Sequence, residues 1–273
     1  MRVLTVVGTR PEAIKMAPVV AELQRRADAR HPDIDSRVLV TSQHRELLAQ
    51  VLDVFRIVPH FDLDVMQPNQ SPTDVLAAVL ARMQPVLADF QPHWVLVQGD
   101  TTTVLAAALA AAYAGVRVGH VEAGLRTYDR RNPFPEETNR VLVDHLSDLC
   151  FAPTTVARDA LLAEGIPSSL VHVTGNTVID ALYHIVQRAP ASSVPQVAQL
   201  ADTPGKRMIL VTAHRRENHG QPLLNILAAL RQLAQRDDLL VVYPVHPNPN
   251  VREPAHRLLG GLPNVALLDP QDY

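Results

Sequence analysis

The chain has 273 residues, 47% of them hydrophobic and 19% charged, with a net charge of −3. That is enough apolar material for one large domain or two ordinary ones, and it excludes a disordered chain. The slightly acidic balance argues against a broad nucleic-acid footprint, but leaves room for local basic sites that hold a phosphorylated small molecule.

The elements alternate strand and helix. A β-branched run at residues 3–7 ends at Gly8, and residues 13–26 carry apolar side chains at helical spacing. A strand at 37–41 precedes a helix at 45–55, and residues 60–65 read as an edge strand. Ser71 caps a helix over 72–89. A strand at 94–97, an alanine-rich helix at 102–113 and a strand at 117–121 follow. Then come a helix at 136–146, a strand at 149–152 and a helix that stops at Gly165. A second series begins near Leu170, with strands at 171–174, 207–212, 239–244 and 265–268. Its helices are expected at 178–188, 223–236 and 251–259, with a loop or linker over 189–204. This rhythm predicts an α/β fold of parallel sheets covered on both faces, divided into domains 1–170 and 171–273.

Cys150 is the single cysteine, so no intrachain disulfide forms, which fits a reducing compartment. The first residues have too short an apolar run for a signal peptide, and no stretch reaches the ~20 apolar residues of a membrane span. A soluble, cytoplasmic protein is expected.

In open α/β sheets, ligands bind beyond the carboxyl ends of the strands. The unusual polar residues fall there. Arg10 and Lys15 follow the first strand, Gln43 and His44 the second, Asp100 the strand at 94–97, and Glu122 the strand at 117–121. His214, Arg215 and Glu217 follow the strand at 207–212, and His246 follows the one at 239–244. Lys15 is one of only two lysines, against 23 arginines.

Each candidate has a plainer alternative. Thr9 and Glu12 can form a capping box. Arg10 sits where a helix N-terminus attracts anions, and its fork suits phosphate. Asp100 is either the N-cap of the next helix or an acid/base group facing a cleft. Glu122 either pairs with Arg126 or moves a proton. Glu136 and Glu137 open a helix, where negative charge suits the dipole, and one of them is expected to be structural. The stiff segment 132–135 would present Glu136 at a fixed height. His214 beside two arginines favours anion binding, and His246 either does the same or stiffens a proline-rich loop. No G-x-G-x-x-G, Walker loop or zinc spacing occurs, so no dinucleotide cofactor and no metal is expected. Asp62-Leu63-Asp64 reads as a solvated face rather than a metal site.

The segments VVGTRPEAIKMAPVV, QGDTTT, HVEAGLRT with PFPEETNR, GNTVIDAL, AHRREN and PVHPNP occur in that order. Together they resemble the non-hydrolysing bacterial UDP-N-acetylglucosamine 2-epimerases, over essentially the whole chain. The resemblance implies two Rossmann-like domains facing a cleft, of the glycosyltransferase-B type. It implies interconversion of UDP-N-acetylglucosamine and UDP-N-acetylmannosamine without a redox cofactor, for cell-surface polysaccharide synthesis. UDP would be eliminated to leave 2-acetamidoglucal, then added back with the opposite configuration at C2. By the same resemblance Asp100, Glu122 and Glu136 are the acid/base carboxylates and His214 the catalytic histidine. Arg10 and Lys15 are cations for the nucleotide end. Gln43, Arg215 and His246 resemble positions that bind a second UDP-N-acetylglucosamine as activator in some members, and a homodimer is implied. Relatives continue past the stretch that ends here at Tyr273, with a serine–glycine–glycine loop that grips UDP. The second domain is therefore expected to be incomplete, with an unfinished sheet edge and poor UDP binding. A hydrolysing relative and an inactive nucleotide-sugar-binding fragment are the alternatives.

Overall fold

The structure is a computed structural model, and it describes residues 1–29, 34–41, 45–67, 70–188, 198–200, 203–215 and 218–271. The chain divides into two compact units, Met1–Gln187 and Arg188–Tyr273.

Among its described residues the first unit has seven parallel strands in the order β3-β2-β1-β4-β5-β6-β7. They are β1 (Arg2–Val7), β2 (Asp35–Val40), β3 (Phe61–Asp62), β4 (Trp94–Gln98), β5 (Arg117–Val121), β6 (Leu149–Ala152) and β7 (Val171–Val173). Its helices are α1 (Arg10–Ala29), α2 (Arg45–Phe55), α3 (Pro72–Phe90), α4 (Thr102–Tyr113), α5 (Glu136–Leu146), α6 (Thr155–Ala163) and α7 (Thr177–Arg188). Successive side chains of a strand point to opposite faces, which sorts the core into two layers. Leu4 and Val6 of β1 pack on one face with Val79 and Met83 of α3 and the alanines of α4. Val7 packs on the other with Met16 of α1, Val51 of α2 and Ala181 of α7. With both faces covered, the strands read as continuous apolar runs. Helix α4 is apolar nearly all round, and Ala106, Ala107, Ala108 and Ala111 are fully buried. Their small side chains let it pack between α3 and α5.

Two expectations are corrected. The edge strand expected over 60–65 is only two residues long, because Leu63 and Val65 turn inward and are buried. The expected boundary at 170/171 moves to 187/188. β7 pairs in parallel with β6 through Cys150–Val171 and its neighbours, and α7 buries Ala181 in the first core.

Among its described residues the second unit has three parallel strands in the order β10-β9-β8: β8 (Arg207–Leu210), β9 (Leu239–Pro244) and β10 (Val265–Leu268). Helices α8 (Gln221–Leu233) and α9 (Pro249–Leu259) pack on them through Leu223, Leu227, Val251 and Leu259. No described helix is long and apolar enough to cross a membrane.

Candidate active site

The strand order of the first sheet reverses between β1 and β4. At such a switch point the loops leaving the two strands diverge and open a crevice. A cavity of about 170 Å³ lies there, lined among others by Lys15, Glu12, Asp100, Glu122 and Arg140.

Gly8 and Glu12 fix the loop that follows β1. Gly8 ends β1, and a Cβ there would come within 2.8 Å of the Thr103 side chain, so glycine lets this loop lie against the start of α4. The Glu12 carboxylate is buried and accepts from the Gly8 amide at 2.6 Å, the Thr9 hydroxyl at 2.9 Å and the Thr101 hydroxyl at 2.8 Å. Glu12 therefore does more than close a capping box, because it ties the β1 loop to the β4 loop. Burial pushes its carboxyl above the usual range, against those hydrogen bonds.

Glu122 stands at the end of β5 with φ of 67°, a left-handed backbone that glutamate rarely adopts. Its amide and that of Ala123 both donate to the Phe151 carbonyl. Its carboxylate is held by three donors. Lys15 Nζ and Gln98 Nε2 reach Oε2, each at 2.5 Å, and Asn176 Nδ2 reaches Oε1 at 3.3 Å. The alternative pairing with Arg126 is overturned: Arg126 bonds Asp144 and Glu164 instead. Lys15 and Glu122, 107 positions apart, form a partly buried ion pair in the cavity.

Asp100 is not the N-cap of α4. Thr101 takes that place, accepting from the Val104 amide at 3.3 Å. The Asp100 carboxylate is left facing the cavity, where Arg140 of α5 donates to it. Asn139 Nδ2 donates to the Asp100 carbonyl at 2.9 Å. So α5 grips both the backbone and the side chain of this turn.

Glu137 is more than a charge at a helix start. It is buried, accepts the amides of Thr127 at 3.0 Å and Tyr128 at 2.8 Å, and pairs with Arg140 at 3.4 Å. It anchors the loop that follows Glu122. Glu136, the first residue of α5, does not line the cavity. Its Oε2 is buried, with no hydrogen-bond partner among the described residues.

Behind the cavity lies a buried chain of charge. His120 Nδ1 is 2.6 Å from Asp144 Oδ1, and its Nε2 is 2.7 Å from the Gly99 carbonyl. Asp144 Oδ2 accepts the Gly124 amide at 3.1 Å and lies 2.8 Å from Arg126, which forks onto Glu164 at 2.7 Å through each of two nitrogens. Burial opposes the Asp144 charge, but His120 and Arg126 outweigh it and hold the carboxyl below its usual range. For Arg126 burial also works against the charge, and Glu164 and Asp144 more than offset it. The sequence reading missed this network. Its signal was in α5, whose inward face is polar, with Glu137, Asn139 and Asp144 all buried. Gln98 and Asn176 were missed as well, although both stand at strand ends inside the quoted segments.

In the second unit the structure brings His214 and His246 together. They follow β8 and β9 and stack with ring centroids 5.3 Å apart. His246 Nδ1 accepts the Asn248 amide at 3.1 Å, and His214 Nδ1 is 3.4 Å from the Thr212 hydroxyl. Arg215 is exposed beside His214, and Arg10 opens α1 at the first unit's switch point. Gln43, His44, Arg216 and Glu217 lie outside the described residues. Asp62 accepts the Asp64 amide at 2.9 Å, a local turn contact. No group of three or more metal-ligating side chains occurs among the described residues.

The geometry can be compared with known proteins. A family model described as UDP-N-acetylglucosamine 2-epimerase matches residues 26–273. The UDP-N-acetylglucosamine 2-epimerase of Salmonella typhimurium is 52% identical over 279 residues, covering 100% of this chain and 73% of that protein. That of Bacillus subtilis is 48% identical over 271 residues, covering 99% and 69%. The crystal structure of the Neisseria meningitidis enzyme bound to UDP-GlcNAc superposes with a TM-score of 0.87 at 48% identity, over 100% of this chain and 73% of that one. A Methanocaldococcus jannaschii UDP-GlcNAc 2-epimerase in complex with UDP-GlcNAc and UDP gives 0.77 at 30% identity, over 100% and 74%.

Proposed function

This chain belongs to the UDP-N-acetylglucosamine 2-epimerase family, and we propose that it interconverts UDP-N-acetylglucosamine and UDP-N-acetylmannosamine by eliminating UDP and adding it back. The observation that carries this reading is the Glu122 carboxylate, held by Lys15 and Gln98 at the sheet's switch point, with the Asp100–Arg140 pair lining the same cavity.

The C2 proton of the sugar is not beside a carbonyl, so its removal must be helped by loss of the leaving group. A carboxylate takes the C2 proton as the C1–oxygen bond breaks. UDP leaves with the bonding pair, and a C1–C2 double bond remains in 2-acetamidoglucal. Return of a proton to the opposite face of C2, with UDP reattached at C1, gives the epimer. Glu122 and Asp100, which line the cavity, are the carboxylates for these transfers; Glu136, outside that cavity, joins them on the family's motif alone, and His214 is the catalytic histidine. Cations steady the negative charge that develops on the departing diphosphate, and Arg10, Lys15 and Arg215 have that part. A UDP-N-acetylglucosamine activator held by Gln43 and His246, and a homodimer, belong to the same reading.

Incubation with UDP-N-acetylglucosamine in heavy water tests it. Deuterium at C2 with UDP still attached is the expected result. Release of free N-acetylmannosamine would replace the reading by a hydrolysing one, and no change in the sugar would overturn it. Glu122→Gln should lower turnover by roughly 100-fold or more, the usual share of a general acid–base group. Near-normal turnover in that variant would remove Glu122 from proton transfer.

A further inference from the structure

We propose that His120 is a positioning residue for this reaction: a buried imidazolium, clamped by Asp144, that holds the Gly99–Asp100 turn beside Glu122. The proposal rests on the reading of the site given above. The Gly99 carbonyl can only accept, so His120 Nε2, 2.7 Å away, carries a proton. Asp144 meets Arg126 at 2.8 Å and the Gly124 amide at 3.1 Å, both donors to Oδ2. A carboxylate so placed is ionised and also accepts at Oδ1, so His120 Nδ1 donates across the 2.6 Å contact. A neutral imidazole has one N–H and cannot make both bonds.

The surroundings suit a cation. His120, Asp144, Arg126 and Glu164 alternate in sign along one chain of contacts, which leaves no uncompensated charge. Cys150 lies opposite His120 in the β5–β6 register, and burial, with the Asp144 charge, pushes its thiol up to about 12. No thiolate therefore competes for the ring.

The ends of this chain of contacts fall on the backbone of the site. One is the Gly99 carbonyl, next to Asp100. Another is the Gly124 amide, two residues after Glu122. Gly99, Glu122 and Gly124 all have left-handed φ, of 83°, 67° and 85°. Glycine adopts that conformation freely, whereas a left-handed glutamate persists only where the surroundings hold it firmly. One rigid ion pair holds the turn that carries Asp100 and the turn that carries Glu122, and so sets the spacing of the two carboxylates.

Two variants separate positioning from bulk stability. In His120→Gln the amide nitrogen reaches the place of Nε2 and keeps the bond to Gly99. In His120→Asn it reaches the place of Nδ1, keeps Asp144 and leaves the Gly99 carbonyl unpaired. His120→Asn should lose about 100-fold in kcat, the loss expected of a 1 Å misplacement, with KM for UDP-N-acetylglucosamine nearly unchanged. His120→Gln should recover most of that loss. Amide hydrogen exchange should quicken at residues 99–101 in His120→Asn and not in His120→Gln. Unchanged exchange there, or equal kcat losses in both variants that follow their Tm, would overturn the proposal. In the unmutated chain, nitrogen-15 NMR of the ring should find a proton on each nitrogen, and one bare nitrogen would overturn it without any variant. Failure of the unmutated chain to epimerise counts against the proposed reaction, while the exchange and ring measurements still decide the role of His120.

Discussion

Lys15 and Glu122 illustrate what individual residues can and cannot disclose. Each stood out in the sequence because a charge at the end of an apolar strand is poor core material. Their ion pair did not, since they are 107 positions apart and meet only when β1, β4 and β5 lie side by side. Asp144 was harder to find. It sits in an ordinary helical pattern, and only the structure shows that it is buried against His120 and Arg126. That burial has a measurable consequence. The Asp144 carboxyl is held below its usual range, so the unfolded chain takes up this proton before the folded one as pH falls. The stability it contributes is therefore present above the ordinary carboxyl value of about 4, and is lost as pH falls through the lower folded value. Asp144→Asn breaks the buried pairs and should cost about 3–5 kcal/mol near neutral pH. In urea melts across pH, the gap between this variant and the unmutated chain should narrow below about pH 4. A gap that stays constant into acid would mean that the charge does not matter.

Elements were legible where local signals were strong. Ser71 is a full capping box: its hydroxyl accepts the Asp74 amide at 3.2 Å, and the Asp74 carboxylate accepts the Ser71 amide at 2.9 Å. Helix α5 runs over Glu136–Leu146, the range its pattern predicts. The short edge strand and the ownership of β7 were not legible, because Leu63, Val65 and Val171 look alike in a strand or in a buried loop. Tertiary pairing decided them. Two substitutions probe this scale together. Ser71→Ala loses one cap and should cost about 1 kcal/mol. Gly124→Ala meets two penalties. Its φ is 85°, and an added Cβ would lie 2.2 Å from the Ala157 carbonyl oxygen, which belongs to α6. A left-handed alanine costs roughly 1–2 kcal/mol and overpacking roughly 1–3 more, so it should be the more damaging change. Urea midpoints of the two variants give the order directly, and a smaller effect at Gly124 would contradict the close approach.

Across the whole molecule, stability should follow how completely each strand is covered. Val95, Val97 and Val118 of β4 and β5 are fully buried, whereas Leu210 of β8 is 66% exposed. Amide exchange should be slowest in β4 and β5 and clearly faster in β8, as local opening costs less where little apolar surface is exposed by it. Comparable protection in all three would contradict this. The alternation of apolar runs and amphipathic stretches was enough by itself to determine an α/β fold with parallel sheets, and to place the polar candidates at the carboxyl ends of the strands. It worked because parallel strands must be apolar on both faces, so a charge at a strand end is conspicuous. Only the tertiary structure decided who pairs with whom: Glu122 with Lys15 rather than Arg126, Asp100 with Arg140 rather than with its own helix, and His120 with Asp144. Those contacts join residues tens of positions apart. Their geometry is set by strand order and by glycines such as Gly8 and Gly124 that admit close backbone approach, and no local pattern encodes either one.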